Sequence, residues 1–359
     1  MKEEITETVV KFVVANISTP NWKNKYAALM ALGSITEGPP KLQFSEVIVA
    51  TAPILLDLFK DQSVKVREAN SWVLARICDH HADVLLEPNT LKNIMYHILT
   101  ALKDLPKISA YCCQALEKLA VACEPAALSM NQSPLSAYYK EILQHLEANG
   151  NRSDFQGSGV DLTLTSYVTM TTVVQSSCEA TNDITYELLI PTLQKLESTL
   201  DPELSAERAA YLQDLLCGLV QVMLVKIGYK ATKPLVTNIV MVVIRLFKQA
   251  EKVTENGLIA LQGAVVGCGQ HIDIPEVGQY IKHALESKEK DSTKLACGII
   301  SDLSGIHQEK MSEFLDDFVP CLLDILRDQT VAKEMKIPAL HAMGDLAVYC
   351  GTHFCQNYL

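Results

Sequence analysis

Cys78-Asp79-His80-His81 is the densest group of metal-ligating side chains in the chain. Zinc needs four convergent ligands, and no second Cys/His pair stands at a suitable spacing. The group therefore reads as a helix C-terminus with imidazoles near its negative end. Gly157-Ser158-Gly159 and Gly267-Cys268-Gly269 lack the preceding strand that a phosphate-cradling loop requires. Carboxylates are scattered rather than paired for acid–base work. What remains is recognition chemistry. Trp72 stands in a line with Glu68, Arg76 and Asp79, and large aromatics normally go to the core. An indole flanked by carboxylates suits a Lys or Arg side chain, through cation–π contact and charge pairing together. The alternative is an indole that fills space between neighbouring elements.

The elements that must position these residues are helices. The stretch 61–79 opens on a polar turn, Asp61-Gln62-Ser63, where Asp61 or Ser63 can cap a helix start. Val66, Ala69, Val73 and Ile77 then fall at the spacing of one buried helical face, and Glu68, Trp72, Arg76 and Asp79 occupy the other. The segment 47–60 before the turn is also apolar-periodic. The two segments make one antiparallel helical hairpin.

The hairpin recurs. Helices are expected over 4–17, 22–37 (stopped by Gly38-Pro39-Pro40), 44–60, 64–80, 88–103, 107–123 and 134–148. After a Gly-, Asn- and Ser-rich loop at 149–159 they continue over 160–179, 183–199, 203–227, 231–250, 254–270, 274–288, 291–306, 309–327 and 333–350. The second helices of the hairpins begin roughly 37–51 residues apart, the period of HEAT-type repeats. The fold class is therefore all-α: an α-solenoid, a right-handed superhelix of about eight hairpins. The repeats run 1–40, 41–83, 84–125, 126–181, 182–229, 230–271, 272–307 and 308–351, in a single solenoid fragment with the start of a further repeat at 352–359. Both ends read as cut. Asp61, six residues before Arg67, predicts a buried Asp–Arg ladder between neighbouring hairpins.

In such a solenoid the second helices line the concave face. Aligning the repeats puts Ser34, Arg76, Lys118, Asp302 and Asp345 in one slot, and Met30, Trp72, Gln114, Gly298 and His341 in the slot four residues earlier. The candidate partner-binding residues are Trp72, Glu68, Asp79, Gln114, Asp302 and Asp345. The two late aspartates also read as a solvated face or an inter-repeat hydrogen bond.

Composition narrows the partner. Apolar residues make up 48% of the chain and aromatics 6%, which suits helices packed through Leu, Val, Ile and Ala. A net charge of −11 argues against direct nucleic-acid binding and against an anionic membrane surface, and favours a basic partner. No unbroken apolar run reaches membrane-spanning length. The 11 cysteines, an odd number mostly inside apolar helical runs, point to a reducing compartment, cytosol or nucleus. The sequons at Asn16, Asn131 and Asn151 are then idle.

The segment Asn21-Trp22-Lys-Asn-Lys-Tyr-Ala-Ala-Leu-Met-Ala-Leu-Gly33-Ser-Ile-Thr-Glu-Gly38-Pro39 resembles a middle HEAT repeat of the importin β (karyopherin β) family. Val66-Arg67-Glu-Ala-Asn-Ser-Trp72-Val-Leu-Ala-Arg76-Ile77 resembles the repeat after it, and 212–217 and 336–347 follow in the family's order. The resemblance implies a non-enzymatic nuclear import receptor, without cofactor or metal, found in cytoplasm, nucleus and nuclear pore. Family members wrap around the basic importin-β-binding helix of importin α, or around cargo directly. They bind FG nucleoporins between outer helices and release cargo when Ran-GTP enters. Trp72 falls on one of the family's tryptophan positions; the following repeat usually has a second, where this chain has Gln114. Rival readings are a karyopherin that carries cargo without an adaptor, a HEAT scaffold subunit that binds partners through its turns, and an enzyme whose site spans several repeats.

Overall fold

The computed structural model describes residues 2–39, 41–154 and 157–358. Pro40 of the expected helix stop, Phe155 and Gln156 of the expected loop, and Leu359 of the last expected helix lie outside them. The described residues are helical throughout, with no strand among them. Residues 1–181 and 182–359 form two compact units.

The first unit stacks four hairpins: α1 (Lys2–Asn16) with α2 (Trp22–Ser34), α3 (Lys41–Leu58) with α4 (Val64–Leu85), α5 (Pro88–Ala101) with α6 (Pro106–Met130), and α7 (Tyr139–Gly150) with α8 (Leu162–Gln175). The second unit stacks α9 (Asn182–Ser198) with α10 (Ala206–Ile227), α11 (Lys233–Gln249) with α12 (Glu255–Cys268), α13 (Ile274–Ser287) with α14 (Lys290–His307), and α15 (Leu315–Arg327) with α16 (Lys333–Tyr358). Within each unit every second helix packs on the second helix of the next hairpin, so α2, α4, α6 and α8 form one layer and α10, α12, α14 and α16 another.

Local chemistry sets the helix ends. Asn21 accepts from the Lys23 amide, Asp161 from Leu164, Ser205 from Arg208 and Thr254 from Gly257, each satisfying an orphan donor of the first turn. The α4 start works differently. Ser63 holds the N-cap position without a side-chain bond. Asp61 instead accepts from the Ser63 amide at 2.8 Å and fixes the turn. Val66, Ala69, Val73 and Ile77 are all buried, forming the expected face. Each of the larger three contributes about 1.5–3 kcal/mol by leaving water.

The inter-repeat ladder is present. Lys25 Nζ lies 2.6 Å from Asp61 Oδ2. Arg67 donates Nη1 to the Asp61 carbonyl at 2.9 Å and clamps Asp104 with Nε at 2.7 Å and Nη2 at 3.1 Å. Arg152 donates to the Asp104 carbonyl at 2.8 Å and the Leu102 carbonyl at 2.9 Å. In the second unit Lys288 plays the same part toward Asp324 at 2.8 Å and Asp328 at 2.7 Å.

Three local readings change. The helix expected to end at the His pair runs on to Leu85, with a kink at His81. His81 is buried, 2.8 Å from the Thr36 carbonyl through Nε2, with its ring against Phe44. The expected helix at 309–327 begins as a 3-10 turn, Gln308–Phe314. Although no eighteen consecutive residues are apolar, α10 has the length and mean hydropathy (1.5) of a membrane-crossing helix. Its apolar side is instead spent on α9 and α12. The α12 contact is close: a Cβ at Gly267 would overlap the Leu224 carbonyl of α10.

Nine of the cysteines are buried, Cys321 is partly exposed and Cys355 is exposed; all are free thiols. Burial pushes the Cys78 and Cys112 thiols well up, and that of Cys217 to about 12.

Candidate partner-binding grooves

In the first unit, α2, α4 and α6 bring Tyr26, Met30, Glu68, Trp72 and Tyr111 around a groove of about 260 Å³, with Lys65 at its edge. Gly33 positions the indole. A Cβ there would overlap Cζ3 of Trp72 and stand 2.8 Å from its Cη2, so only glycine lets the ring lie on α2. Trp72 therefore does pack between hairpins, yet it keeps part of its surface in the groove. Glu68 reaches Lys65 at 3.2 Å and Lys107 at 3.8 Å. The Tyr111 hydroxyl is pushed above its ordinary value by burial, then by the charge of Glu68 and by Tyr26, which shows how closely these groups converge.

Asp79 does not join this groove. It is exposed and lies 3.3 Å from Lys118 and 3.7 Å from His80. Gln114 is exposed on α6 outside the groove lining. Cys78, His80 and His81 diverge: the thiol is buried in the core, His80 faces Asp79, and His81 faces Thr36.

In the second unit Asp302 of α14 and Asp345 of α16 line one groove of about 410 Å³ with Val266, Ile306 and Tyr349. Burial first, and repulsion from Asp345 second, hold the Asp302 carboxyl above the ordinary aspartate range. Among the described residues no Lys, Arg or His pairs with either aspartate. Two like charges stand beside exposed Val266, Ile306 and Tyr349, making this groove locally negative.

A third groove, of about 250 Å³, lies between the first helices α11 and α13 of the second unit. Phe247 and Tyr280 line it with ring centroids 5.2 Å apart, together with the charged side chains Lys248, Glu251 and Lys252 and with His283.

The family model described as "Importin subunit beta-1-like, TPR repeats" matches residues 93–359, more than half of the chain. The chain belongs to this importin subunit beta-1-like family. It is 24% identical over 359 residues to importin subunit beta-1 of Saccharomyces cerevisiae, covering 98% of this chain and 41% of that protein. It is likewise similar in structure to Kap95p in a complex with RanGDP, with a TM-score of 0.83 and 24% identity over 98% of this chain and 41% of the other. A Kap95:Nup1 complex matches with a TM-score of 0.82 and 25% identity over 97% and 41%. The chain thus spans less than half the length of these relatives, and the solved structures share its α-solenoid fold.

The slot alignment singles out Trp72, Asp302 and Asp345, and the exposed line along α4 adds Glu68; these four sit in grooves. It passes over Tyr26 and Tyr111, which stand four residues before Met30 and three before Gln114. Those offsets are one helical turn, so the signal was present in the neighbouring slots.

Proposed function

We propose that this chain is the partner-holding part of a non-enzymatic nuclear transport receptor. Its second helices hold the basic importin-β-binding helix of importin α, or a basic cargo segment, and let go when Ran-GTP binds. The observation that carries this reading is the unpaired carboxylate pair Asp302 and Asp345 beside exposed apolar side chains. A Lys or Arg of a basic helix would pair with both carboxylates and relieve their repulsion, and its apolar residues would cover Val266, Ile306 and Tyr349. Charge complementarity mainly raises the encounter rate and the salt sensitivity, whereas the apolar contacts slow dissociation. The relatives' complexes with RanGDP and Nup1 support Ran and nucleoporin partners for this chain too. The groove of about 250 Å³ lined by the Phe247 and Tyr280 rings would take a phenylalanine of an FG repeat. Such a receptor works in cytoplasm, nucleus and nuclear pore.

The test is fluorescence anisotropy of a labelled basic helical peptide, titrated with the chain at low and near-physiological salt. Saturable binding that weakens with salt and with Asp302→Asn plus Asp345→Asn supports the reading. Binding that ignores both substitutions moves the site off these aspartates. An absence of binding at low salt sinks the basic-partner reading and favours the scaffold.

A further inference from the structure

A groove of about 440 Å³ runs along the edge of the second unit where one hairpin passes into the next. Lys233 enters it from the start of α11, His271 and Asp273 from the connection between α12 and α13, and Lys310, Glu313 and Phe314 from the 3-10 turn between α14 and α15. Three successive hairpins thus contribute. Packed helices stand about 8–10 Å apart, so the track is roughly 20 Å long and matches about six residues of extended chain.

Its walls are fixed. His307, at the end of α14, lies 3.0 Å through Nε2 from the Gly269 carbonyl and ties the two later connections together. Gln308 leaves α14 at φ 50° and ψ −123°, a conformation that side chains rarely adopt. The matching cap of α10, at φ 49° and ψ −127°, is Gly228. The chain therefore holds a strained residue where the turn bearing Lys310 and Glu313 departs, and strain of this kind gathers at ligand clamps and switch regions.

Its charges are free. Among the described residues neither Lys233 nor Lys310 pairs with a carboxylate, and neither Asp273 nor Glu313 pairs with a cation. Asp273 N-caps α13 without a side-chain bond, and the positive end of that helix offsets its charge. Glu313 then stands against two lysines and the imidazole of His271. In a chain of net charge −11, whose inner grooves carry Glu68, Asp302 and Asp345, this edge has a local surplus of positive charge. We infer that the edge groove binds an extended acidic segment of a partner protein, its anionic side chains paired with Lys233 and Lys310 and an apolar side chain against Phe314. The site is separate from the inner aspartates and does not rest on the basic-partner reading.

Fluorescence anisotropy of three labelled eight-residue peptides, titrated with the full chain, provides the test. One peptide is rich in glutamate with a central leucine, one carries phosphoserine in place of each glutamate, and one carries glutamine. The anionic peptides should bind saturably and lose affinity as salt rises, and the glutamine peptide should bind at least roughly tenfold more weakly. Whichever of carboxylate and phosphate binds more tightly identifies the partner's anionic group. Lys233→Gln plus Lys310→Gln should weaken binding about five- to tenfold, and Glu313→Gln should tighten it about twofold. Lys248→Gln plus Lys252→Gln removes two exposed lysines of the outer groove and should change affinity by less than about twofold. All four lysines are exposed, and far-ultraviolet circular dichroism checks that each variant is folded. No binding of either anionic peptide at low salt overturns the inference. So does an affinity unmoved by Lys233→Gln plus Lys310→Gln, or an equal loss in the control pair.

Discussion

The indole of Trp72 rests on Gly33, with Cη2 standing 2.8 Å from where a Cβ on that residue would be. The two residues belong to successive hairpins, so the wall of the candidate groove and the packing of one repeat on the next are the same contact. Trp72→Ala would remove both at once and could not tell them apart.

Gly33→Ala tests that contact from the other side. The added methyl meets the benzo edge of the indole and the α2 backbone cannot retreat, so the ring swings or the hairpins part. Overpacking of this kind costs about 1–3 kcal/mol. The expected result is a lower denaturant midpoint together with altered Trp72 emission in a Trp22→Phe background. An unchanged midpoint would mean that the indole has room to move.

Asp302→Asn should stabilise the free chain while weakening its hold on a basic peptide. The sign follows from the raised carboxyl. A folded-state pKa above the unfolded one means the native state binds the proton more tightly, so this site favours folding as pH falls and opposes it near neutrality. Removing the charge lifts the thermal midpoint, by about 1–2 °C on a unit of this size, and loss of the same charge cuts peptide affinity. Calorimetry and anisotropy on one sample decide it. A lower midpoint would show that Asp302 serves the fold.

Arg67→Ala should destabilise the first unit by about 2 kcal/mol, because it strands a half-buried carboxylate that accepts two charged donors. Burial raises the Asp104 pKa, but the Arg67 hydrogen bonds, the Leu105 amide and the charges of Arg67 and Arg152 outweigh it and hold it below the usual 3.8. A depressed folded-state pKa contributes stability that is complete above the unfolded value and is lost as pH falls below it. Wild-type chain should therefore lose more stability between neutral pH and the acid side of that value than Arg67→Ala does. Parallel acid profiles would show that the clamp contributes nothing.

Tyr280→Ala should weaken an FG-repeat peptide several-fold and leave the basic peptide untouched, since it opens the groove between α11 and α13 only. Surface plasmon resonance with both peptides checks this. Equal losses for both would point to a general disturbance of the second unit.

Much of the fold was legible in the sequence because it is built from local, repeated patterns. The buried set Val66, Ala69, Val73 and Ile77 follows from helical spacing, and the Arg67 ladder follows from where Asp61 recurs. Contacts that depend on a neighbour's approach were less legible. His81 reads as a helix end because three polar residues, Asp79, His80 and His81, follow a core run, yet the Thr36 carbonyl from the turn after α2 and Phe44 of α3 carry α4 past it. Asp79 reads as a partner to Trp72, but Lys118 of the next hairpin's second helix, α6, stands beside it and pairs with its charge. Tyr26 and Tyr111 lie outside the two slots that the repeats align, whereas a groove draws on residues a further turn away on adjacent helices.

The buried thiols have a consequence for how the chain's breathing can be observed. In the second unit, Cys217, Cys268, Cys297 and Cys350 sit one to each second helix, all enclosed, while Cys355 stays open at the surface. With Cys355→Ser and Cys321→Ser, a thiol-blocking reagent can react only when a hairpin opens. Because each hairpin is held by its neighbours alone, the order in which these sulfurs are captured would record, repeat by repeat, where the stack comes apart first.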